Sequence, residues 1–166
     1  MGARATRDEA FTEFVVARRR HLSRFATLLC GDPHRGEDLV QAALTKVYLA
    51  WPRIERDATV EAYARRVILR CHLDEGRRPW RREASTDAVP ESVGRAGLAY
   101  EDADQVRAAV RSLPPRQRAV IVLRHWCGLS VEETAADLGC STGTVKSQSA
   151  RAVDRLRSLL SDRVAT

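Results

Sequence analysis

The stretch "LSVEETAADLGCSTGTVKSQSARAVDRL", Leu129 to Leu156, restricts the fold more tightly than any other part of the chain. Ser130 with Glu133 three residues on is a capping box, so a helix starts at Val131 and directs Val131, Ala135 and Leu138 inward. Gly139 stops that helix, and Ser141 can cap a second one on which Val145, Ala152, Val153 and Leu156 share the apolar face. Thr144, Lys146, Ser147, Gln148, Arg151 and Arg155 are then left to solvent. Two helices around so tight a turn are either a plain hairpin in a bundle or a helix-turn-helix. The second helix suits the latter: polar residues of its first turns, from Ser141 onward, can reach base edges in the major groove, and its later arginines can meet phosphate.

The rest of the chain is also patterned for helices, which makes the expected fold class all-α. "DPHRG" is turn chemistry that ends one helix, and the following "EDLVQAALTKVYLAW" spaces Leu39, Val40, Ala43, Leu44, Val47, Tyr48 and Trp51 as a core stripe. The face left outside carries Asp38, Gln41, Thr45 and Lys46, which by default is a solvated surface. A third segment, "TVEAYARRVILRCHLDEGRRPWRR", repeats the pattern with Val60, Tyr63, Ala64, Val67, Ile68 and Cys71 inward. Its other face carries Arg65, Arg66 and Arg70, and Arg77, Arg78, Trp80, Arg81 and Arg82 follow. Basic residues beside an aromatic suit single-stranded nucleic acid, although a basic helix end with one tryptophan is more often ordinary surface. Further on, a helix is expected near Gln105 to Leu113. The "PP" pair breaks it, Pro115 fits the first turn of the helix that resumes, and Gly128 sits where a C-terminal cap belongs.

The 166 residues carry 28 Lys and Arg against 22 Asp and Glu, a net charge of +6 that suits a polyanionic partner. Its distribution says more than its total. Residues 1–82 hold 17 basic against 11 acidic residues, residues 83–105 one against six, and residues 106–166 ten against five. The expected organisation is therefore two small helical domains, 1–82 and 106–166, joined by an acidic linker over 83–105. Held extended, those 23 residues reach at most about 80 Å, against about 70 Å for two turns of DNA. Cys30, Cys71, Cys127 and Cys140 include no CxxC pair, which argues against a zinc site or a disulfide framework. No apolar run approaches the roughly 20 residues of a membrane span, and "MGARATRDEA" has no signal-peptide core, so no membrane insertion is expected and the expected address is the cytoplasm.

Taken in order, "FATLLCGDPHRGEDLVQAALTKVYLAW", "AYARRVILRCHLDEGRR" and "LPPRQRAVIVLRHWCGLSVEETAADLGCSTGTVKSQSARAVDRL" resemble domains two and four of bacterial extracytoplasmic-function (ECF) sigma factors, especially the small SigE-like group. The resemblance implies an initiation subunit that binds core RNA polymerase, directs it to promoter DNA and helps open the duplex. It implies no enzymatic activity, no cofactor and no metal, and it leaves room for an anti-sigma factor as a further partner. On the same ground Asp38 and Gln41 gain a partner in the polymerase clamp helices. Arg65 through Arg82, with Arg66, Arg70, Arg77, Arg78 and Trp80, become the melting segment at the −10 element. Ser141, Thr144, Lys146, Ser147, Gln148, Arg151 and Arg155 become readers of the −35 element. The acidic residues Glu83, Asp87, Glu91, Glu101, Asp102 and Asp104 become a peptide that enters the path of nascent RNA.

Two departures from the family pattern bear on specificity. Arg70 stands where many relatives carry Asn, which leaves base capture at the −10 element open. "VKSQSARA" stands where many read "VKSRLSRA", and Gln148 favours bidentate contact to adenine where Arg favours guanine. A stand-alone helix-turn-helix regulator that binds duplex DNA without polymerase is the alternative, and it leaves the first domain without a role. An enzyme is disfavoured: Cys71, His72 and Asp74 are near in sequence, yet no phosphate loop or catalytic signature accompanies them.

Overall fold

The computed structural model describes residues 2–54, 60–76 and 98–164, and every regular element among them is helical. The chain divides into two units, Met1–Arg81 and Arg82–Thr166.

The first unit contains α1 (Gly2–Cys30), α2 (Pro33–Ile54) and α3 (Val60–Gly76). The break between α1 and α2 is shorter than the turn expected over "DPHRG". Gly31 takes φ +77° and donates its N–H to Thr27 O at 2.8 Å, which closes α1. Asp32 Oδ1 accepts the N–H of His34 at 2.7 Å and of Arg35 at 3.3 Å, and Pro33 occupies the first helical position, where its missing N–H costs nothing. Pro33 to Gly36 therefore open α2 instead of closing α1. Gly36 is buried in close contact with α1: a Cβ there would stand 2.7 Å from Thr27 Oγ1 and 3.0 Å from the Thr27 amide nitrogen. Next to this junction the Cys30 thiol donates to Asp32 O at 3.1 Å, and burial pushes its pKa up.

The expected stripe of α2 is buried from Leu39 to Trp51, with Tyr48 half-buried at its edge. It packs on α1, whose Leu22, Phe25, Ala26 and Leu29 are buried. On α3 the expected face is displaced. Ala64, Ile68, Leu69 and His72 are buried, whereas Val60, Tyr63, Val67 and Cys71 are only half-buried. α1 packs against that side of α3, where Glu61 pairs with Arg18 at 3.3 Å and meets His21 Nε2 at 3.4 Å. Cys71 lies at the opposite rim, where Lys46 Nζ of α2 approaches its Sγ to 3.5 Å.

The second unit contains α4 (Leu98–Arg111), α5 (Pro115–Ile121), a π turn (Val122–Trp126), α6 (Val131–Leu138) and α7 (Thr142–Val164). α4 starts well before Gln105, so the last part of the segment expected to be linker is helical. Its acids had disguised a run of good helix formers, Leu98, Ala99, Glu101 and Ala103, and Asp104 pairs with Arg107 at 3.3 Å one turn on. Pro114 is extended (φ −53°, ψ 146°) and Pro115 opens α5 as expected. Arg118 spans the break, donating to Arg111 O at 2.7 Å and Leu113 O at 3.1 Å. The π turn was not foreseen. In it Cys127 N–H reaches back to Val122 O at 3.0 Å, before Gly128 (φ +71°) turns the chain.

Two small cores hold this unit. Leu113, Ile121 and Ala152 form one, flanked by Val110, Val153 and Leu156. Val120, Ala135 and Val145 form the other, flanked by Val131, Leu138 and Cys140.

Candidate functional site

Helices α6 and α7 with their turn are built almost entirely by local signals. Ser130 Oγ accepts the Glu133 N–H at 3.0 Å while Glu133 Oε2 accepts the Ser130 N–H at 2.7 Å, the reciprocal capping box. At the other end Gly139 adopts φ 64° and ψ 39°. Gly139 N–H bonds Ala136 O at 3.4 Å and Cys140 N–H bonds Ala135 O at 3.1 Å, the bond pair of a Schellman cap. Ser141 Oγ then accepts the Thr144 N–H at 3.1 Å and starts α7. Val145 and Ala152, both with 0% of their surface exposed, pin α7 to the rest of the unit.

That anchoring determines which α7 side chains can reach a ligand. Lys146, Ser147, Arg151 and Arg155 are exposed, whereas Thr144 and Gln148 are half-buried on the shoulders of the helix. The small hydroxyls already serve the helix itself. Ser141 Oγ lies 2.9 Å from Thr144 Oγ1, and Ser147 Oγ donates to Thr144 O at 3.0 Å. Reach therefore belongs to Lys146, Gln148, Arg151 and Arg155. The first turn of α7 holds no acid, so the partial positive charge of the helix N-terminus adds to Lys146.

In the first unit, Arg66 and Arg70 are exposed on one face of α3 with Asp74, and Arg65 is half-buried. Arg77, Arg78, Trp80, Arg81 and Arg82 lie outside the described residues, as do Glu83, Asp87 and Glu91 of the acidic segment. On α2, Asp38 and Gln41 are both exposed and share a face with Thr45 and Leu49. Glu37 stands beside them. A hydrogen bond from the Ser23 hydroxyl, assisted by Arg19 at 3.2 Å, holds its carboxyl below the usual range.

Sequence reasoning did not single out Leu49, although a leucine on the polar side of an otherwise clean stripe was a visible anomaly. Nor did it anticipate the burial of Thr134 and Asp137 on α6. Among the described residues, no three His, Cys, Asp or Glu side chains come together to hold a metal ion. No described helix is long and apolar enough to cross a membrane.

Both halves match known families. Residues 14–82 match the sigma-70 region 2 family, and residues 103–156 match sigma-70, region 4. The chain is similar to the RNA polymerase sigma-E factor of Streptomyces coelicolor, with 41% identity over 148 residues, 89% of this chain and 84% of that protein. It is also similar to the ECF RNA polymerase sigma factor SigM of Mycobacterium tuberculosis, with 31% identity over 151 residues, 91% of this chain and 77% of that one. Among solved structures, the sigma factor RpoE of Bartonella quintana, in complex with the anti-sigma factor NepR, aligns with a TM-score of 0.74 at 29% identity over 92% of this chain and 98% of that one. CnrH, in complex with the cytosolic domain of CnrY, aligns with a TM-score of 0.65 at 25% identity over 93% of this chain and 90% of that one. Two helical units, a helix-turn-helix in the second and these matches in chain order lead to one conclusion: the chain belongs to the ECF family of RNA polymerase sigma factors and is a transcription initiation factor.

Proposed function

We propose that the two units divide the work of initiation. The first docks on core RNA polymerase through the exposed face of α2, with Asp38 and Gln41 as its polar contacts. Arg65, Arg66 and Arg70, continued by Arg77, Arg78 and Trp80, engage the −10 element and help to separate its strands by neutralising phosphate and stacking on bases. The second unit reads the −35 element through α7. Gln148 contacts a base edge, Lys146, Arg151 and Arg155 hold phosphate, and Ser141, Thr144 and Ser147 shape the helix start. The factor performs no chemistry of its own, works in the cytoplasm and is held in check by an anti-sigma factor.

The observation that carries this reading is that each matched region falls on its own unit: 14–82 ends within one residue of the boundary at Arg81, and 103–156 lies wholly beyond it. The deciding experiment is transcription reconstituted from core polymerase, this chain and a promoter library. Promoter-specific transcripts that require both the chain and core are expected. A stand-alone regulator would instead fail to retain core polymerase in a pull-down and would bind duplex DNA equally well without it.

A further inference from the structure

Most of α2 is explained by its buried stripe, but one residue violates the pattern. Leu49 is 71% exposed, exceeded among the exposed large hydrophobics of the described residues only by Val16 of α1 at 79%. A single exposed leucine is ordinary. The place of this one is not. Asp38, Gln41, Thr45 and Leu49 recur every three or four residues, so they form one continuous ridge along three turns, about 16 Å.

The turn that carries Leu49 is also held more firmly than a helix end usually is. Pro52 lies inside α2 and cannot donate to the carbonyl four residues back, Tyr48 O, which would leave the last turn free to fray. Arg7 of α1 supplies the missing donor, its Nη2 meeting Tyr48 O at 2.5 Å with its Cζ 4.5 Å from the centre of the Tyr48 ring. Asp8 Oδ1 accepts the Tyr48 hydroxyl at 2.7 Å, and Phe11 packs edge-on against Tyr48 at 5.1 Å and Trp51 at 5.3 Å. The start of α1 thus clamps the turn at which α2 presents an apolar side chain to solvent.

We propose that Leu49 is the apolar anchor of the polymerase-binding face, set at the far end of the ridge from Asp38, and that Arg7 is its positioning residue. The occupant is a helical segment of core RNA polymerase. Three turns of ridge match the footprint of two helices packed at a shallow angle, with a polar end at Asp38 and Gln41 and an apolar socket for Leu49. This rests on the assignment of α2 to the polymerase interface.

The experiment measures the affinity of the full chain for core polymerase, with a thermal melt of each variant to check folding. Leu49→Ala should weaken binding about tenfold and Leu49→Asp further, whereas Val16→Asp, an equally exposed apolar site on another helix, should leave it unchanged. Arg7→Gln should weaken binding in the native background but add nothing in the Leu49→Ala background, an outcome that a general loss of stability would not produce. Full binding by Leu49→Asp, together with a defect in Asp38→Arg, overturns the anchor and leaves the α2 assignment standing. If Asp38→Arg binds normally too, the α2 assignment itself falls. If Leu49→Asp changes only self-association or only capture by an anti-sigma factor, the ridge serves that partner and the anchor is likewise overturned.

Discussion

The first unit is held together by contacts between residues far apart in sequence, and the second, at its helix-turn-helix, by contacts between residues three to five apart. Glu61 meets Arg18 and His21, Arg7 meets Tyr48, and Gly36 meets Thr27. By contrast Ser130 meets Glu133, Cys140 meets Ala135 and Ser141 meets Thr144. The comparison teaches where legibility comes from. A cap is a short-range event between neighbours in sequence, whereas the face that a long helix buries depends on which other helix arrives and from which side.

The strongest way to break the comparison is at Gly36. Gly36→Ala would set a methyl 2.7 Å from the Thr27 hydroxyl with the Thr27 backbone nitrogen close behind at 3.0 Å, so the α1–α2 junction must shift and a loss of about 1–3 kcal/mol is expected. A denaturant melt followed by a probe in the first unit measures it, and an unchanged midpoint would mean the helices slide freely.

Next in size is the division of labour on α7. Gln148→Ala should relax preference at one −35 base by about 1–3 kcal/mol, while Lys146→Ala and Arg151→Ala weaken all sequences alike and reduce the salt dependence of binding. Selection from a randomised −35 library separates the two behaviours, and a flat Lys146→Ala profile beside an equally flat Gln148→Ala profile would remove the base-reading role.

The capping box offers a smaller test. Ser130→Ala should cost about 1 kcal/mol, because the Glu133 amide loses its acceptor, and Ser130→Asp should restore most of it. A melting temperature that ignores both substitutions would show that packing alone holds α6.

The smallest effect concerns pH in the first unit. The Glu37 carboxyl is held below the usual carboxylate value by the Ser23 hydroxyl first and Arg19 second. A lowered pKa means stability that is present above the ordinary carboxylate value of about 4.3 and is lost as pH falls through the lowered one. Ser23→Ala should therefore lower the melting temperature slightly at neutral pH. Melts of both forms at a series of pH values should converge once the pH has fallen below the lowered Glu37 pKa, and a gap that persists in acid would assign the effect to packing.

From sequence alone came the all-helical class, the split into basic, acidic and basic segments, the capped start of α6, the stop at Gly139 and the apolar side of α7. These rest on dihedral preferences and hydrogen bonds that close within one or two turns, so the residues that make them are neighbours in the chain. Only the tertiary structure decided that His72 and Leu69, not Cys71, face the core from α3, because which face is buried depends on the side from which α1 packs, where Glu61 meets Arg18 and His21. It alone decided that α4 starts at Leu98, since an acidic sequence reads as a solvated linker until Val110, near the end of the helix, is seen to pack against the core of Leu113, Ile121 and Ala152. Leu49 belongs to the same class: an exposed leucine in a sequence is unremarkable, and it becomes a candidate contact only once Arg7, forty-two residues earlier, holds the turn beneath it.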